Sequence, residues 1–211
     1  MSRRWRAERS KDHFHKMAKK LGFRSRAAFK LLEINKKFGI LKRGYVVLDV
    51  GAYPGGWLQV ASKIVGSTGL VIGIDLRPIS KMSAPNVKTV IGDVCDESLH
   101  DKLASMISRK IDVILSDAAP KLTGVWSTDI ARHSHIIYCI LKLANKLLRK
   151  GGTAVIKAFQ GEELNELLMD IRSLFGDVRL FKPKASRQRS REVYLICTSF
   201  HGGNDINRDA A

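Results

Sequence analysis

Residues 49–61 read DVGAYPGGWLQVA, and the fold follows from them. An apolar run from Tyr45 to Val50 stops at Gly51, and three residues later Pro54-Gly55-Gly56 lead into an amphipathic run that begins at Trp57. The pattern predicts a strand, a tight glycine turn and a helix start. Because Gly51, Gly55 and Gly56 carry no Cβ, main-chain N–H groups at such a junction can approach a ligand closely, and the helix N-terminus is aimed at it. The next apolar run, LVIGID, closes on Asp75, which is placed to accept hydrogen bonds from a ribose diol. Together these point to a nucleoside-containing ligand, although a glycine turn alone also serves as a plain loop.

The glycine spacing argues against a dinucleotide. In a dinucleotide fingerprint a second glycine, two residues after the first, makes room for the pyrophosphate; here Tyr53 stands at that position. A nucleoside without pyrophosphate fits better. S-adenosylmethionine has that character, with adenosine for Asp75 and an amino-acid tail for the glycine turn.

From Tyr45 onward, strand-like runs alternate with helix-like ones: VVLDV, a helix from Trp57, LVIGID, VKTVIGD, a helix from Ser98, IDVILSD, a helix within 127–149, TAVIKAF, a helix over 162–174, then DVRLF and EVYLICTSF. Strands separated by helices imply an α/β fold, a doubly wound and mostly parallel sheet with helices on both faces. The last two strands have no helix between them and are expected to pair as a hairpin at one end. Before the first strand, residues 10–38 read as two basic helices broken at Leu21-Gly22-Phe23. Ser25 is a candidate cap for the second helix, whose apolar face carries Ala28, Phe29, Leu31 and Leu32.

Ligands of an open parallel sheet bind outside the carboxyl ends of its strands. Those ends carry the glycine turn, Asp75, Asp93, Asp117 and Lys157 in chain order. An aspartate there also caps the following helix or turn as a matter of course. Lys157 differs, because TAVIKAF is otherwise apolar and its lysine must leave water or reach a cleft.

The 211 residues are 45% hydrophobic, enough for one domain with a substantial core. Lys and Arg number 37 against 20 Asp and Glu, a formal charge of +17 that implies an anionic partner, foremost nucleic acid. Residues 1–43 hold 15 of the basic residues and 3 acidic ones, so most of the excess sits in the first fifth of the chain. A second basic cluster, Lys182, Lys184, Arg187, Arg189 and Arg191, lies near the other end. Cys95, Cys139 and Cys197 are scattered, so neither a disulfide nor a zinc site is expected, and a reducing cytoplasm fits. No apolar stretch reaches the roughly 20 residues of a membrane span, and no secretion signal is evident.

DVGAYPGGW, SDAAPKLTG, VIKAFQGE and SRQRSREVYLI, with SRAAFKL near the N-terminus, together resemble the FtsJ/RrmJ family of S-adenosylmethionine-dependent ribose 2'-O-methyltransferases. The resemblance runs from about residue 10 to residue 200 and is strongest toward enzymes that methylate a uridine ribose in large-subunit (23S) ribosomal RNA. It implies the methyltransferase form of the doubly wound sheet with an antiparallel last strand. It also implies a catalytic set of Lys30, Asp117, Lys157 and Glu192. For the cofactor it implies contacts from Asp49, Gly51, Gly55, Gly56 and Trp57 in the glycine loop, from Asp75 to the ribose, from Asp93 near the adenine amino group and from Asp117 near the methionine end. No metal is implied. Tyr53 departs from the small residue common among relatives, and Lys121 and Leu122 follow SDAAP where relatives vary.

On this reading residues 10–200 form one methyltransferase domain, including the basic helices of 10–43, between a flexible basic N-terminus (1–9) and a flexible tail (201–211). The partner would be ribosomal RNA or the large ribosomal subunit, bound by a cytoplasmic monomer through the two basic regions. Trp5 and Phe14 are candidates for base stacking or for the core, and Trp57 for the pocket wall. A ribose hydroxyl must lose its proton as the C–O bond forms, and a lysine can accept it only as the neutral amine. Lys30 and Lys157, if close, disfavour each other's charged form; the carboxylates of Asp117 and Glu192 act in the opposite sense while orienting them. Transfer RNA or an mRNA cap as substrate, and a non-catalytic ribosome assembly factor, are the alternative readings.

Overall fold

A computed structural model describes residues 13–161, 163–187 and 189–203. The basic segment 1–9 with Trp5, and the tail from 204 onward, lie outside the described residues. Seven strands, β1 (Val46–Val50), β2 (Leu70–Asp75), β3 (Val87–Ile91), β4 (Ile111–Ser116), β5 (Leu148–Phe159), β6 (Phe175–Phe181) and β7 (Glu192–Phe200), form one sheet in the order β3-β2-β1-β4-β5-β7-β6. The first five run parallel. β7 is antiparallel to both β5 and β6, so the terminal hairpin inserts its second strand beside β5.

The period-2 alternation of β1 divides the core. Val46, Leu48 and Val50 pack in one apolar cluster with α4 (Glu97–Ser105), α5 (Trp126–Leu147) and α6 (Glu163–Arg172). Val47 points the other way, into a second cluster with Ala28, Leu31 and Ile34 of α2 (Ala28–Phe38) and with α3 (Gly56–Val65). Every residue of β1 is buried, as a central strand covered on both faces requires. The order reverses at β1, with β2 and β3 to one side and β4 onward to the other, and this opens a crevice between the ends of β1 and β4.

Several local expectations are revised. Ser25 does not cap α2, where Ala27 holds the cap position with no side-chain hydrogen bond. Ser25 Oγ instead lies against Gly56, where a Cβ would come within 2.3 Å of it. On α2, Leu32 is 37% exposed while Lys30 is only 8% exposed, so the buried face of the helix includes the lysine. β5 begins at Leu148, earlier than the apolar run suggests, because Arg149 reaches back to Asp112 at 2.7 Å and fixes the strand entry. Phe14, on α1 (His13–Lys20), packs on Phe29 at 5.5 Å between ring centroids, a core contact. The expectation of three free thiols also fails, since Cys95 and Cys139 form a disulfide and Cys197 is free and buried. The two half-cystines are 44 residues apart in sequence; only the packing of the β3–α4 turn on α5 makes them neighbours.

Candidate active site

Antiparallel pairing sets Lys157 of β5 directly opposite Tyr194 of β7. Opposed residues of an antiparallel pair share a face of the sheet, and so do residues two apart on a strand, which adds Glu192. That is the face covered by α2, whose buried Lys30 reaches down to meet them. Lys30 Nζ lies 2.7 Å from Glu192 Oε1 and donates to the Tyr194 hydroxyl at 3.0 Å. The hydroxyl in turn donates to Asp117 Oδ1 at 2.6 Å. Asp117 stands just past the end of β4, and its Oδ1 is 3.2 Å from Lys157 Nζ and 3.7 Å from Lys30 Nζ. Lys157 Nζ also donates to the Asp117 carbonyl oxygen at 2.6 Å. One carboxylate oxygen thus gathers both ammonium groups to within about 7 Å of each other, inside a Debye length.

The electrostatics follow from that closeness. Burial pushes the Asp117 carboxyl upward, but Lys157, then Lys30 and the Tyr194 hydroxyl outweigh it and hold it below its ordinary value. Glu192 is likewise pushed up by burial and pulled down further by Lys30, ending below its ordinary value. Tyr194 is raised well above the usual phenol, by burial and then by Asp117 and Glu192, so it remains a donor. His133 of α5 sits behind the site, its ring 4.4 Å from that of Phe159. Burial, and then the Lys157 charge, lower its imidazole to about 4. Tyr194 and His133 escape a reading of the sequence. The alternation of Glu192 and Tyr194 in EVY was the available signal for the tyrosine; nothing local marks the histidine.

Asp117 also lines a cavity of about 1110 Å³ at the strand ends, together with Gly51, Tyr53, Asp75, Asp93 and Cys95. Gly51 has φ +74°, and a Cβ there would come 2.7 Å from Ala118 Cα, so only glycine lets the β1 and β4 turns close at the cavity floor. Asp75 is anchored by the main chain, accepting the N–H groups of Tyr53 at 3.0 Å and Arg77 at 2.9 Å. Asp93 accepts the Cys95 N–H at 2.9 Å, so it caps a turn as well as facing the cavity. Tyr53 is 43% exposed on the rim, with the Arg77 guanidinium 3.9 Å from its ring centroid.

The other residues of the glycine loop sit elsewhere. Trp57 is 3% exposed, its indole N–H donates to the Ala27 carbonyl at 2.7 Å, and it packs near Tyr194, so it is core rather than cavity wall. Gly55 and Gly56 abut Arg24 and Ser25, which accounts for the small residues by packing against the N-terminal segment. Asp49 is buried beneath the turn, with neither carboxylate oxygen hydrogen-bonded to the described residues. Burial, then Asp117 and Asp75, raise it well above the usual carboxylate range.

The cavity suits S-adenosylmethionine in the polar groups that line it. The carboxylates of Asp75, Asp93 and Asp117 line it as hydrogen-bond acceptors, a set that a diol, an exocyclic amine and a cationic amino-acid end can satisfy, around a floor kept open by Gly51. On the other side of the tetrad formed by Lys30, Asp117, Lys157 and Glu192 a smaller cleft of about 470 Å³ is lined by Lys30, Glu192, Arg26, Arg187 and Arg189. Glu33 holds its rim by accepting the N–H groups of Lys184 and Ala185 at 2.8 and 2.9 Å. The four polar residues therefore lie between an acid-lined cavity and a basic cleft.

The chain is 41% identical over 203 residues to "Ribosomal RNA large subunit methyltransferase E" of Methanocaldococcus jannaschii, covering 95% of this chain and 83% of that one. It is also 41% identical to the Coxiella burnetii protein of the same name, over 96% and 97% of the two chains. Among solved structures, a ribosomal RNA methyltransferase from Plasmodium falciparum superposes with a TM-score of 0.77 at 32% identity, over 86% of this chain and all of that one. Aeropyrum pernix fibrillarin, solved with bound S-adenosyl-L-methionine, shares the fold with a TM-score of 0.58 at 16% identity. Residues 23–200, which hold the whole tetrad and both cavities, match the FtsJ-like methyltransferases, and the chain belongs to that family.

Proposed function

We propose that this protein transfers a methyl group from S-adenosylmethionine to the 2'-hydroxyl of a uridine ribose in large-subunit (23S) ribosomal RNA. The observation that carries the reading is the grip of Asp117 on both Lys30 and Lys157, at the boundary between the acid-lined cavity and the basic cleft. Asp75, Asp93 and Asp117 hold the cofactor, which supplies a methyl on a sulfonium and so needs no further activation. The chain's part is to align a ribose oxygen with that methyl and to remove one proton.

Lys157 takes the proton. Its nitrogen is fixed by the carbonyl and carboxylate of Asp117, which itself lines the cavity. Lys30, tied to Glu192 and Tyr194, faces the cleft and steadies the substrate ribose from the other side. Arg26, Arg187 and Arg189 neutralise the phosphates that flank the target, a contribution that weakens with salt. Residues 10–200 act as one domain, in a monomer, in the cytoplasm. Among the described residues no helix is long and apolar enough to cross a membrane.

Incubation with radiolabelled S-adenosylmethionine and separated ribosomal RNA, transfer RNA and large subunits, followed by mapping of the labelled ribose, tests the substrate. Label confined to transfer RNA would overturn the ribosomal assignment. Lys157→Ala is expected to abolish transfer while leaving cofactor binding largely intact; near-normal turnover would remove Lys157 from the role of base.

A further inference from the structure

Beside the cofactor cavity, whose wall includes Cys95 and His135, Cys95, His135 and Cys139 bring two sulfurs and an imidazole nitrogen within 4.8 Å of one another. His135 and Cys139 are one turn apart on α5, so they share a helix face, and the Cys139 sulfur lies 3.8 Å from His135 Nε2. Cys95 approaches from the β3–α4 turn, its Cα 4.9 Å from that of Cys139. In this structure the two sulfurs are bonded to each other. We propose that, once this disulfide is reduced, Cys95, Cys139 and His135 bind one zinc ion at the edge of the cofactor cavity.

The argument is one of ligand type and fit. Two thiolates and one imidazole are a soft donor set that suits zinc over magnesium or calcium. A tetrahedral zinc with bonds of about 2.3 Å to sulfur and about 2.0 Å to nitrogen sets its ligand atoms about 3.5 to 3.8 Å apart. The His135–Cys139 separation, 3.8 Å, is within about 0.3 Å of the sulfur–nitrogen value. Two sulfurs no longer bonded to each other relax to a similar contact distance, and the backbones that carry them are already close. Cys95 and His135 line the cavity, so the fourth position opens toward it. The chemistry balances with a phosphine as reductant: the phosphine and one water reduce the disulfide to two thiols and leave as phosphine oxide. Zinc then displaces the two thiol protons to solvent. The scattered spacing that hides this site in the sequence is the result of assembling it from a turn and a helix.

The test uses the full chain in two forms, oxidised and phosphine-reduced, each desalted and dialysed against zinc buffered by a chelator, with bound metal counted by mass spectrometry. The reduced protein is expected to hold one zinc per chain and the oxidised protein to hold none at the same free zinc. Cobalt in place of zinc should give thiolate-to-metal absorption in the near ultraviolet. Cys95→Ser and Cys139→Ser should each lose at least ~100-fold in affinity, and His135→Ala ~10-fold or more. Cys197→Ser, which removes the third thiol, should change nothing. Equal zinc on oxidised and reduced protein, or undiminished binding by the doubly substituted Cys95→Ser/Cys139→Ser chain, would place the ion elsewhere and overturn the proposal. Because the readout is metal content rather than methyl transfer, it stands or falls apart from the proposed activity.

Discussion

His133→Gln isolates one buried imidazole and its effect on stability with pH. In the folded protein His133 is 3% exposed and ionises near 4, against an ordinary value of 6.5, because burial and then the Lys157 charge oppose its protonated form. Between those two values the unfolded chain binds a proton that the folded chain refuses. Folding stability contributed by this group is therefore complete above pH 6.5 and is lost as pH falls toward 4. A depression of this size corresponds to about 3 kcal/mol in full, of which about 2 kcal/mol is gone by pH 5. Glutamine keeps the polarity and does not titrate. Urea unfolding of both chains at pH 7.5, 6.5, 5.5 and 5.0 removes the contribution of every other group by difference. The wild type should lose about 2 kcal/mol more than the variant over this range, with most of the loss below pH 6. A difference that stays constant from pH 7.5 to 5.0 would show that His133 protonates freely in the folded state and would refute the reasoning. The consequence for function is local, since a neutral His133 adds no positive charge behind the site.

Tyr194→Phe removes the hydroxyl that links Lys30 to Asp117. Hydrogen bonds to charged groups contribute about 1.5 to 3 kcal/mol each, so a loss of about 2 kcal/mol in urea unfolding is expected. Turnover should fall while cofactor affinity is unchanged, and a fully active variant would show that Lys30 is held well enough by Glu192 alone. Gly51→Ala places a Cβ on the Ala118 backbone at positive φ and should destabilise the chain by about 3 kcal/mol. Calorimetry should also register weaker cofactor binding, whereas an unchanged melting temperature would mean that the β1 and β4 turns can separate. Arg187→Ala with Arg189→Ala should make the dependence of log affinity on log salt shallower by about 0.7 per lost phosphate contact for single-stranded RNA. Filter binding across a salt series reads that slope, and parallel slopes would place the RNA elsewhere.

The sequence alone specified what local pattern can carry. The stop at Gly51, the alternation of buried strands with amphipathic helices, and a carboxylate closing three successive strands are written in runs of five to fifteen residues. The doubly wound sheet, its crevice and the acid-lined cavity follow from them. Tertiary structure decided everything that depends on which distant segments meet. Trp57 looks like cavity wall from the loop it follows, yet the Ala27 carbonyl claims its indole and draws it into the core. Lys30 reads as an ordinary helix lysine until α2 is laid over β5 and β7, where Glu192, Tyr194 and Asp117 compensate its burial. Cys95 and Cys139 carry no shared motif, and only the docking of a turn on α5 puts them in bonding range. The physical reason is common to all three: propensity and periodicity act over a few residues, whereas the partner of a buried indole N–H, charge or thiol lies tens to hundreds of residues away.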